Sequence, residues 1–549
     1  MTAVVIGSGI NGLVAAAELA RGGVETVLLE RSDRIGGFIA ADPELTAPGF
    51  LHDTYSSWHP LFVSSAAFGE LGSELAARGL EYSNSDGAVT ASTADVAGER
   101  RTVIAYRDPE QTARGFASPA DTDAYLQMLA DFGPRAPFIF GALGAELGST
   151  KALGKLGWGA FRALKADGLE SLARDSLTSA RSFLRRKFDG WEVDELWTPW
   201  GLHSGLGPDH ATGGMMIPVF AAAMHQFGLP VVTGGVANFL TAFERLLRDS
   251  GVEIHTGEEA EEIVIADGRV AGVRTSAGFI GADTVLASVS PSALYDGLLA
   301  AAPGLAGQRA GAASYRPGRA AMQLHFALDR PLQWEDPALG EVPLVHLSDG
   351  SGSTGIACAQ AEAGLLPSSP TVVVGQQSML DPSRAPEGKA TLWLQLQEVP
   401  FAPIGDSASE IDVSGGWESA SLRERYVDRV LDRVERFAPG TRSTILGSKV
   451  IAPTDLLAAN PNAISGDPYG GSAELDQNLR WRPYPGAASH ATPVRGVWHI
   501  GAATHPGPGL GAGSGHIVAQ RILAASPAAG GRWLLAISGL PRPAKPRNR

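Results

Sequence analysis

The chain has 549 residues, 44% of them hydrophobic and 19% charged, with 68 glycines and a formal net charge of −14. This length supports a large core and two or more domains, and the composition suits an α/β enzyme and excludes a disordered chain. The acidic balance argues against general nucleic-acid binding, and the single cysteine, Cys358, excludes an internal disulfide, a CxxC redox pair and a cysteine-based metal site.

The N-terminus reads as a first strand, because it lacks the charged leading region and cleavage site of a signal peptide. No apolar run reaches the length of a membrane span. The stretch 215–227 comes closest, but it is short and holds Pro218 and His225. A cytoplasmic location is expected.

Residues 3–6 are a short apolar run of the buried-strand kind, and Gly7, Gly9 and Gly12 follow at GxGxxG spacing. A helix is predicted over 13–21 and a second apolar strand over 26–29, closed by Glu30. The spacing has a chemical reason. Gly7 permits a tight turn, Gly9 lets a pyrophosphate approach the backbone, and Gly12 lets helix and strand pack closely. The helix N-terminus offers free N–H groups and a positive dipole end to the phosphates. Glu30 lies 18 residues after Gly12, where an acid accepts hydrogen bonds from a ribose 2′-OH and repels a 2′-phosphate, so NADP is disfavoured.

Next comes Arg31-Ser-Asp-Arg-Ile-Gly36-Gly37. A glycine pair just past the ribose acid is unusual for NAD dehydrogenases. It resembles the extension of FAD proteins of the glutathione-reductase and amine-oxidase type, where the backbone of the pair approaches the flavin-side pyrophosphate. His52, Tyr55, Trp58 and His59 crowd into residues 50–61 without the carboxylate-and-histidine set that would complete a metal site. No metal is expected, and the segment is expected to cover one face of the flavin.

A strand is predicted over 102–106, and a helix over Pro119–Phe132 with Ser118 as N-cap and Pro119 at its first position. Residues 145–187 carry nine lysines and arginines against Glu146, Asp167, Glu170 and Asp175, with apolar residues at helical spacing. Two readings stay open for this face: a solvated surface, or a basic amphipathic surface that touches anionic lipid. Residues 229–235 lead into a predicted helix Val236–Asp249. A strand over 252–256 follows, then a hairpin Ala260–Ala266 and Arg269–Thr275 through Asp267-Gly268, then a strand over 284–287. Strands are predicted over 322–328 and 391–396, and an amphipathic helix over 422–437 that stops at Ala438-Pro439-Gly440.

The stretch 496–516 repeats the opening pattern: a strand Val497–Ile500, a turn holding Gly507, Gly509, Gly511, Gly513 and Gly515, and a helix over 517–523. Its backbone can pass close to a flat ligand, and the helix can aim its N-terminus at a phosphate or at the flavin pyrimidine edge. The expected fold is α/β. A discontinuous Rossmann-type FAD-binding domain (1–75, 229–300 and 486–525) holds an inserted α+β substrate domain (76–228 and 301–485). A loose tail, 526–549, is expected to follow, with an apolar segment 533–537 that docks on the body or on a membrane.

These residues resemble the phytoene-desaturase-like FAD oxidoreductases, in particular the branch of pyridine-nucleotide-disulphide-oxidoreductase-domain proteins, up to about residue 525. The likeness rests on the opening glycine turn with Glu30 and Gly36-Gly37, on Pro48-Gly-Phe50, His52-Asp53 and Ser57-Trp-His-Pro-Leu61, and on Gly234-Gly235. It rests also on Ser378-Met-Leu-Asp-Pro-Ser-Arg-Ala-Pro-Glu-Gly388, Ala438-Pro-Gly440, Pro453-Thr-Asp-Leu456, Asp476-Gln477, Arg482-Pro483, and 501–515 with its Thr-His-Pro-Gly. It implies the amine-oxidase-like FAD fold and non-covalent FAD. Gly7, Gly9, Gly12, Glu30, Arg31, Gly36 and Gly37 match the ADP-side contacts. Ala260 stands at the adenine-contacting backbone position, usually Val. Gly501, Gly509, Gly511 and Gly513 match the flavin-side contacts, while Pro508 and Leu510 depart from the commoner Gly and Val.

In such enzymes the hydride chemistry belongs to the cofactor, and the protein supplies position and electrostatics. The groups expected to face the substrate are His505, His59, Tyr55 and His203, each equally readable as a hydrogen-bonded structural residue. The expected activity is C–C desaturation or saturation of a lipophilic or polyketide-like small molecule. Oxygen, a quinone and a nicotinamide all stay open as electron acceptors. Alternatives are a flavin amine oxidase, a flavin-dependent polyene isomerase, and a prenyl-binding protein of the dissociation-inhibitor type. The amine oxidase usually calls for an aromatic cage and a lysine reaching flavin N5 through water, and neither is identifiable in the sequence. Glu30 and the terminal glycine motif argue against the prenyl-binding protein.

Overall fold

The computed structural model describes residues 1–525, so the predicted tail and its segment 533–537 lie outside the described residues. Five strands build a parallel sheet: β1 (Thr2–Ile6), β2 (Glu25–Glu30), β3 (Glu253–Thr256), β4 (Thr284–Ser288) and β5 (Val497–Ile500). Their order is β5-β4-β1-β2-β3, with every neighbouring pair parallel. Segments from both ends and the middle of the chain therefore share one sheet. Alternate residues feed two cores. Ala3, Val5, Leu28, Leu286 and Ile500 pack under the helices α1 (Ile10–Arg21) and α2 (Gly513–Ala525). Val4, Ile6, Val27, Leu29 and Val285 face the hairpin Ala260–Ala266 and Arg269–Thr275. Both faces of this sheet are covered, which is why its strands read as continuous apolar runs.

Helix α1 begins at Ile10, three residues before the predicted start, because Gly9 is its N-cap and Gly12 lies in its first turn. The hairpin has the predicted bounds. Asp267 and Gly268 sit at φ 51° and 72°, the left-handed pair that a two-residue turn of this hand requires.

A second sheet of seven strands runs in the order Ile445–Ile451, Ala320–Leu328, Ala390–Val399, Val372–Gly375, Leu344–Leu347, Ala88–Val96 and Glu99–Tyr106. One face meets the helix Ala420–Glu435 through Leu324, Val345, Val374 and Leu394. The other meets the helices Pro119–Phe132, Glu192–Trp197 and Gly213–Phe227 through Val103, Leu344, Val373 and Trp393. Several strands run longer than predicted, because buried residues on both faces mask where the alternation ends.

The basic stretch forms Thr150–Leu177, interrupted at Lys165 (φ 56°), and then Ala180–Lys187. Trp158 and Phe161 stack at 6.0 Å between ring centres and stand exposed on the first of these.

Candidate active site

The dinucleotide turn is shaped by contacts that only glycine allows. Gly7 sits at φ +90°, and a Cβ at Gly12 would lie 1.9 Å from the Gly7 carbonyl oxygen. A Cβ at Gly9 would meet nothing within 4 Å, so open space lies directly in front of α1. No side chain caps that helix end, and its N–H groups and dipole are left for an external anion. Gly37 closes over the turn, its Cβ position 3.3 Å from Gly9 Cα, and the Gly36 N–H donates to Ser8 Oγ at 3.0 Å.

Glu30 ends β2 beside this turn. Its Oε2 accepts from the Ser8 N–H at 3.0 Å and the Ser8 hydroxyl at 2.6 Å, and its Oε1 accepts from the Ser32 N–H at 2.9 Å. The carboxylate thus ties the glycine turn to the Gly36-Gly37 segment. Arg31, next to it, is exposed. The strand of Ala260 follows closely, since the Glu258 N–H donates to the Glu30 carbonyl at 3.0 Å.

The terminal glycine stretch comes to the same place. The Gly501 N–H donates to Ser514 Oγ at 2.8 Å, and that hydroxyl donates to Asn11 Oδ1 at 2.9 Å. The Gly515 N–H reaches the same Asn11 oxygen at 3.2 Å. One side chain in the first turn of α1 therefore fixes the start of α2. Gly509 and Gly511 pack against Leu61, and Gly513 against Pro506. An open, uncapped helix end, a double glycine cradle and an acid at the strand end fit a dinucleotide. FAD would be held by these residues and would supply the hydride chemistry.

The segment 50–59 joins the two sheets. Arg384, fully buried, donates to Asp53 at 2.8 Å, to Asp381 at 3.2 Å and to the Val232 carbonyl at 2.7 Å. Asp53 also accepts from the Val236 N–H at 2.8 Å and the Ser57 hydroxyl at 2.6 Å. No role for this cluster follows from the sequence alone, where its visible trace is Asp381 three residues before Arg384 in a polar stretch. On the far side, Gln323 donates to the Tyr55 carbonyl at 3.0 Å, and Gln377 to Ser57 Oγ at 3.3 Å.

The four residues expected to face substrate have separate surroundings, and no hydrogen bond among the described residues joins them. His59 lies in the core of the parallel-sheet domain against Phe239 and Tyr82, 3.0 Å from the Tyr82 hydroxyl, and burial lowers it to about 3. Tyr55 packs on Phe38 at 5.0 Å, with its phenol raised by burial. His203 stacks on Trp200 and lies 3.0 Å from His346, Nε2 to Nε2, and burial lowers it to about 3. His505 sits in the terminal glycine stretch, its Nε2 3.0 Å from the Ala142 carbonyl, lowered to about 4 chiefly by burial. All three imidazoles are neutral at physiological pH.

Several buried polar atoms of the larger sheet and of the helix Glu192–Trp197 have no partner among the described residues, including Ser92 Oγ, His346 Nδ1, Gln397 Oε1 and both oxygens of Glu195. Each costs about 1–3 kcal/mol if left unpaired. No group of His, Cys, Asp and Glu among the described residues is arranged to hold a metal ion.

A parallel sheet with a glycine-capped helix and a distant glycine stretch returned to it define a dinucleotide-binding protein. The chain belongs to the flavin containing amine oxidoreductase family, whose model matches residues 10–523. It is 26% identical to phytoene desaturase (lycopene-forming) of Pseudescherichia vulneris, over 92% of this chain and 95% of that protein. It is also 26% identical to pyridine nucleotide-disulfide oxidoreductase domain-containing protein 2 of Rattus norvegicus, over 94% of this chain and 93% of the relative. An oxidoreductase from Methanosarcina mazei shares the fold, with a TM-score of 0.63 and 17% identity over 95% of this chain and all of that one. The protein is an FAD-dependent oxidoreductase with an amine-oxidase-type α/β fold.

Proposed function

We propose that this flavoenzyme acts on CH–CH bonds, moving a hydride between non-covalently held FAD and a lipophilic small molecule. The ADP half of the cofactor is assigned to Gly7, Gly9, Gly12, Glu30, Arg31, Gly36, Gly37 and the backbone of Ala260. The flavin half is assigned to Gly501, Gly509, Gly511 and Gly513. His505 is the residue best placed to orient groups at the flavin end.

The observation that supports a carbon–carbon substrate over an amine is that no lysine among the described residues is buried. The amine-oxidase reading calls for one near the flavin. Dehydrogenating an allylic or unactivated bond has no such need; it needs a dry, shaped site and neutral walls. The desaturase activity named for the Pseudescherichia relative points the same way.

The protein as purified is expected to be yellow and to release FAD on denaturation. Anaerobic mixing with polyenes or reduced terpenoids is expected to bleach it, and amines are expected to leave it oxidised. Bleaching by amines alone would overturn the proposal in favour of an amine oxidase.

Trp158 and Phe161, exposed among Lys151, Lys155, Arg162 and Lys165, support peripheral contact with anionic lipid. Among the described residues no helix is long and apolar enough to cross a membrane. Sedimentation with anionic but not neutral vesicles, lost in a Trp158→Ser/Phe161→Ser variant, is the expected outcome.

A further inference from the structure

Among the described residues two arginines are fully buried, Arg384 and Arg482, each 1% exposed. Their surroundings differ. Arg384 has its acids, Asp53 and Asp381, at 2.8 and 3.2 Å. Arg482 makes no ion pair among the described residues. Its guanidinium donates only to backbone carbonyls: Gly470 at 2.7 Å, Ala502 at 2.8 Å, Tyr469 at 2.9 Å and Ser472 at 3.4 Å. The acid that faces it, Asp467, turns its oxygens instead to the N–H groups of Gly318, Tyr469 and Gly471, each at 2.7 Å. Burial also raises Asp467 above the usual carboxylate range, which weakens it as a counter-charge.

The place of this charge is specific. Ala502 follows Gly501, and a Cβ at Gly507 (φ +110°) would lie 3.4 Å from Arg482 Nε. The guanidinium therefore backs directly onto the stretch 501–507, at the start of the glycine run assigned to the flavin half. An arginine does not shed its proton in a protein. A buried charge without an acid is costly to a fold, and carbonyl dipoles solvate it without cancelling it. Its field is also weakly screened, because water and salt are kept away. The other charges at this stretch form a group of their own. Glu146 lies between His490 and Arg521, and His490 Nε2 is 2.8 Å from the His505 carbonyl. Among the described residues no carboxylate hydrogen-bonds to 501–513 itself.

We propose that Arg482 raises the oxidising power of the bound flavin, by holding an uncompensated positive charge behind the turn that carries it. The inference rests on the assignment of 501–513 to the flavin half and on the carbon–carbon dehydrogenase reading, and it adds what drives that chemistry. Dehydrogenation breaks a C–H bond on each of two adjacent carbons. One hydrogen passes to the flavin with its electron pair, and the other leaves as a proton to water. The carbons gain a double bond, and the flavin gains one negative charge. A fixed cation favours that charged form over the neutral oxidised ring, so the reduction equilibrium shifts toward it. An unactivated C–H bond is a weaker hydride donor than the C–H beside an amine, so this help matters most for a carbon–carbon substrate.

The test is the two-electron midpoint potential of the FAD-loaded full chain, read anaerobically against reference dyes. The parent is expected to be reduced more easily than free FAD. Arg482→Gln, checked for unchanged FAD content and melting temperature, is expected to shift the equilibrium about tenfold or more against the reduced form, a fall of about 30 mV or more. Arg482→Lys keeps the charge but not the fork of carbonyl bonds, and is expected to stay within about twofold of the parent. A merely structural role predicts the reverse, with both variants losing stability and neither moving the potential. Where the glutamine variant fails to hold FAD, the parent and the lysine variant decide. A parent potential at or below that of free FAD, a glutamine variant with the parent's potential, or a lysine variant whose potential falls about tenfold in equilibrium would overturn the proposal. A colourless protein would defeat the FAD assignment and this proposal with it. A yellow protein with the expected potentials that is bleached only by amines would defeat the dehydrogenase reading and leave the role of Arg482 standing.

Discussion

Glu30 was legible as the acid that ends the second strand, but its partners were not. The positions between the glycines accept many residues, so nothing in the spacing shows that Ser8 turns its N–H and hydroxyl onto the Glu30 carboxylate. Charge-assisted bonds of this kind are the stronger class. Glu30→Gln removes the charge and is expected to weaken FAD binding by about tenfold or more, equivalent to ~1.5–3 kcal/mol. Titration of apoprotein with FAD measures it, and full affinity in the variant would show that the carboxylate is dispensable. Glu195 is a second case visible only in three dimensions. It is wholly buried, without partners among the described residues, and burial pushes it up to about 8. The folded chain keeps its proton while the unfolded chain loses it above the ordinary 4.5, so stability drains away as pH rises from 4.5 to 8. Glu195→Gln is expected to be more stable than the parent at pH 8 by a few kcal/mol, with the gap closing below about pH 5. Denaturant melts at the two pH values decide it.

At the scale of elements, the sequence was most readable where a special backbone need left a mark. The strand–turn–helix at the start, the Asp267-Gly268 hairpin and the Ser118-Pro119 helix start all carried residues that few other geometries need. The strands of the larger sheet were readable in kind but not in extent, because both of their faces are buried. Polar residues recur at period two in these strands, Gln323 with His325 and Gln395 with Gln397, but nothing in the sequence tells which face they occupy. The opening turn permits a sharp element-level contrast. Gly9 has a φ of −59° and open space ahead of it, whereas a side chain at Gly12 strikes the Gly7 carbonyl. Gly9→Ala is expected to fold within about 0.5 kcal/mol of the parent and to lose FAD, because its methyl enters the space of the pyrophosphate. Gly12→Ala is expected to lose the fold itself. Melting temperature and flavin content, measured on both, separate the two; equal FAD loading in Gly9→Ala would rule out the proposed phosphate position.

At the scale of the molecule, burial holds many imidazoles neutral: His59, His203 and His325 at about 3, and His52, His499 and His505 at about 4, against an ordinary 6.5. Once unfolded, these groups take up protons below 6.5 that the folded chain refuses. Their contribution is complete above that pH and is lost as pH falls toward 4, at up to about 1.4 kcal/mol per histidine per unit. Cooperative unfolding with loss of bound flavin is expected between about pH 6 and 4; a melting temperature flat across that range would contradict it. The interleaving of the parallel sheet was legible because the glycine motifs and strands recur at distant positions, whereas the packing of one part on another was not. The bond from Ser514 to Asn11 spans 503 residues, and it sets an order of events. A ribosome that has released the opening turn must make the chain as far as Ser514 before the second half of the cradle exists. Until then the apolar edge of β4 waits for β5, and chaperones have time to hold it. Cofactor capture thus becomes a report that synthesis has passed Ser514, and a chain cut short before it would be colourless and exposed to proteolysis.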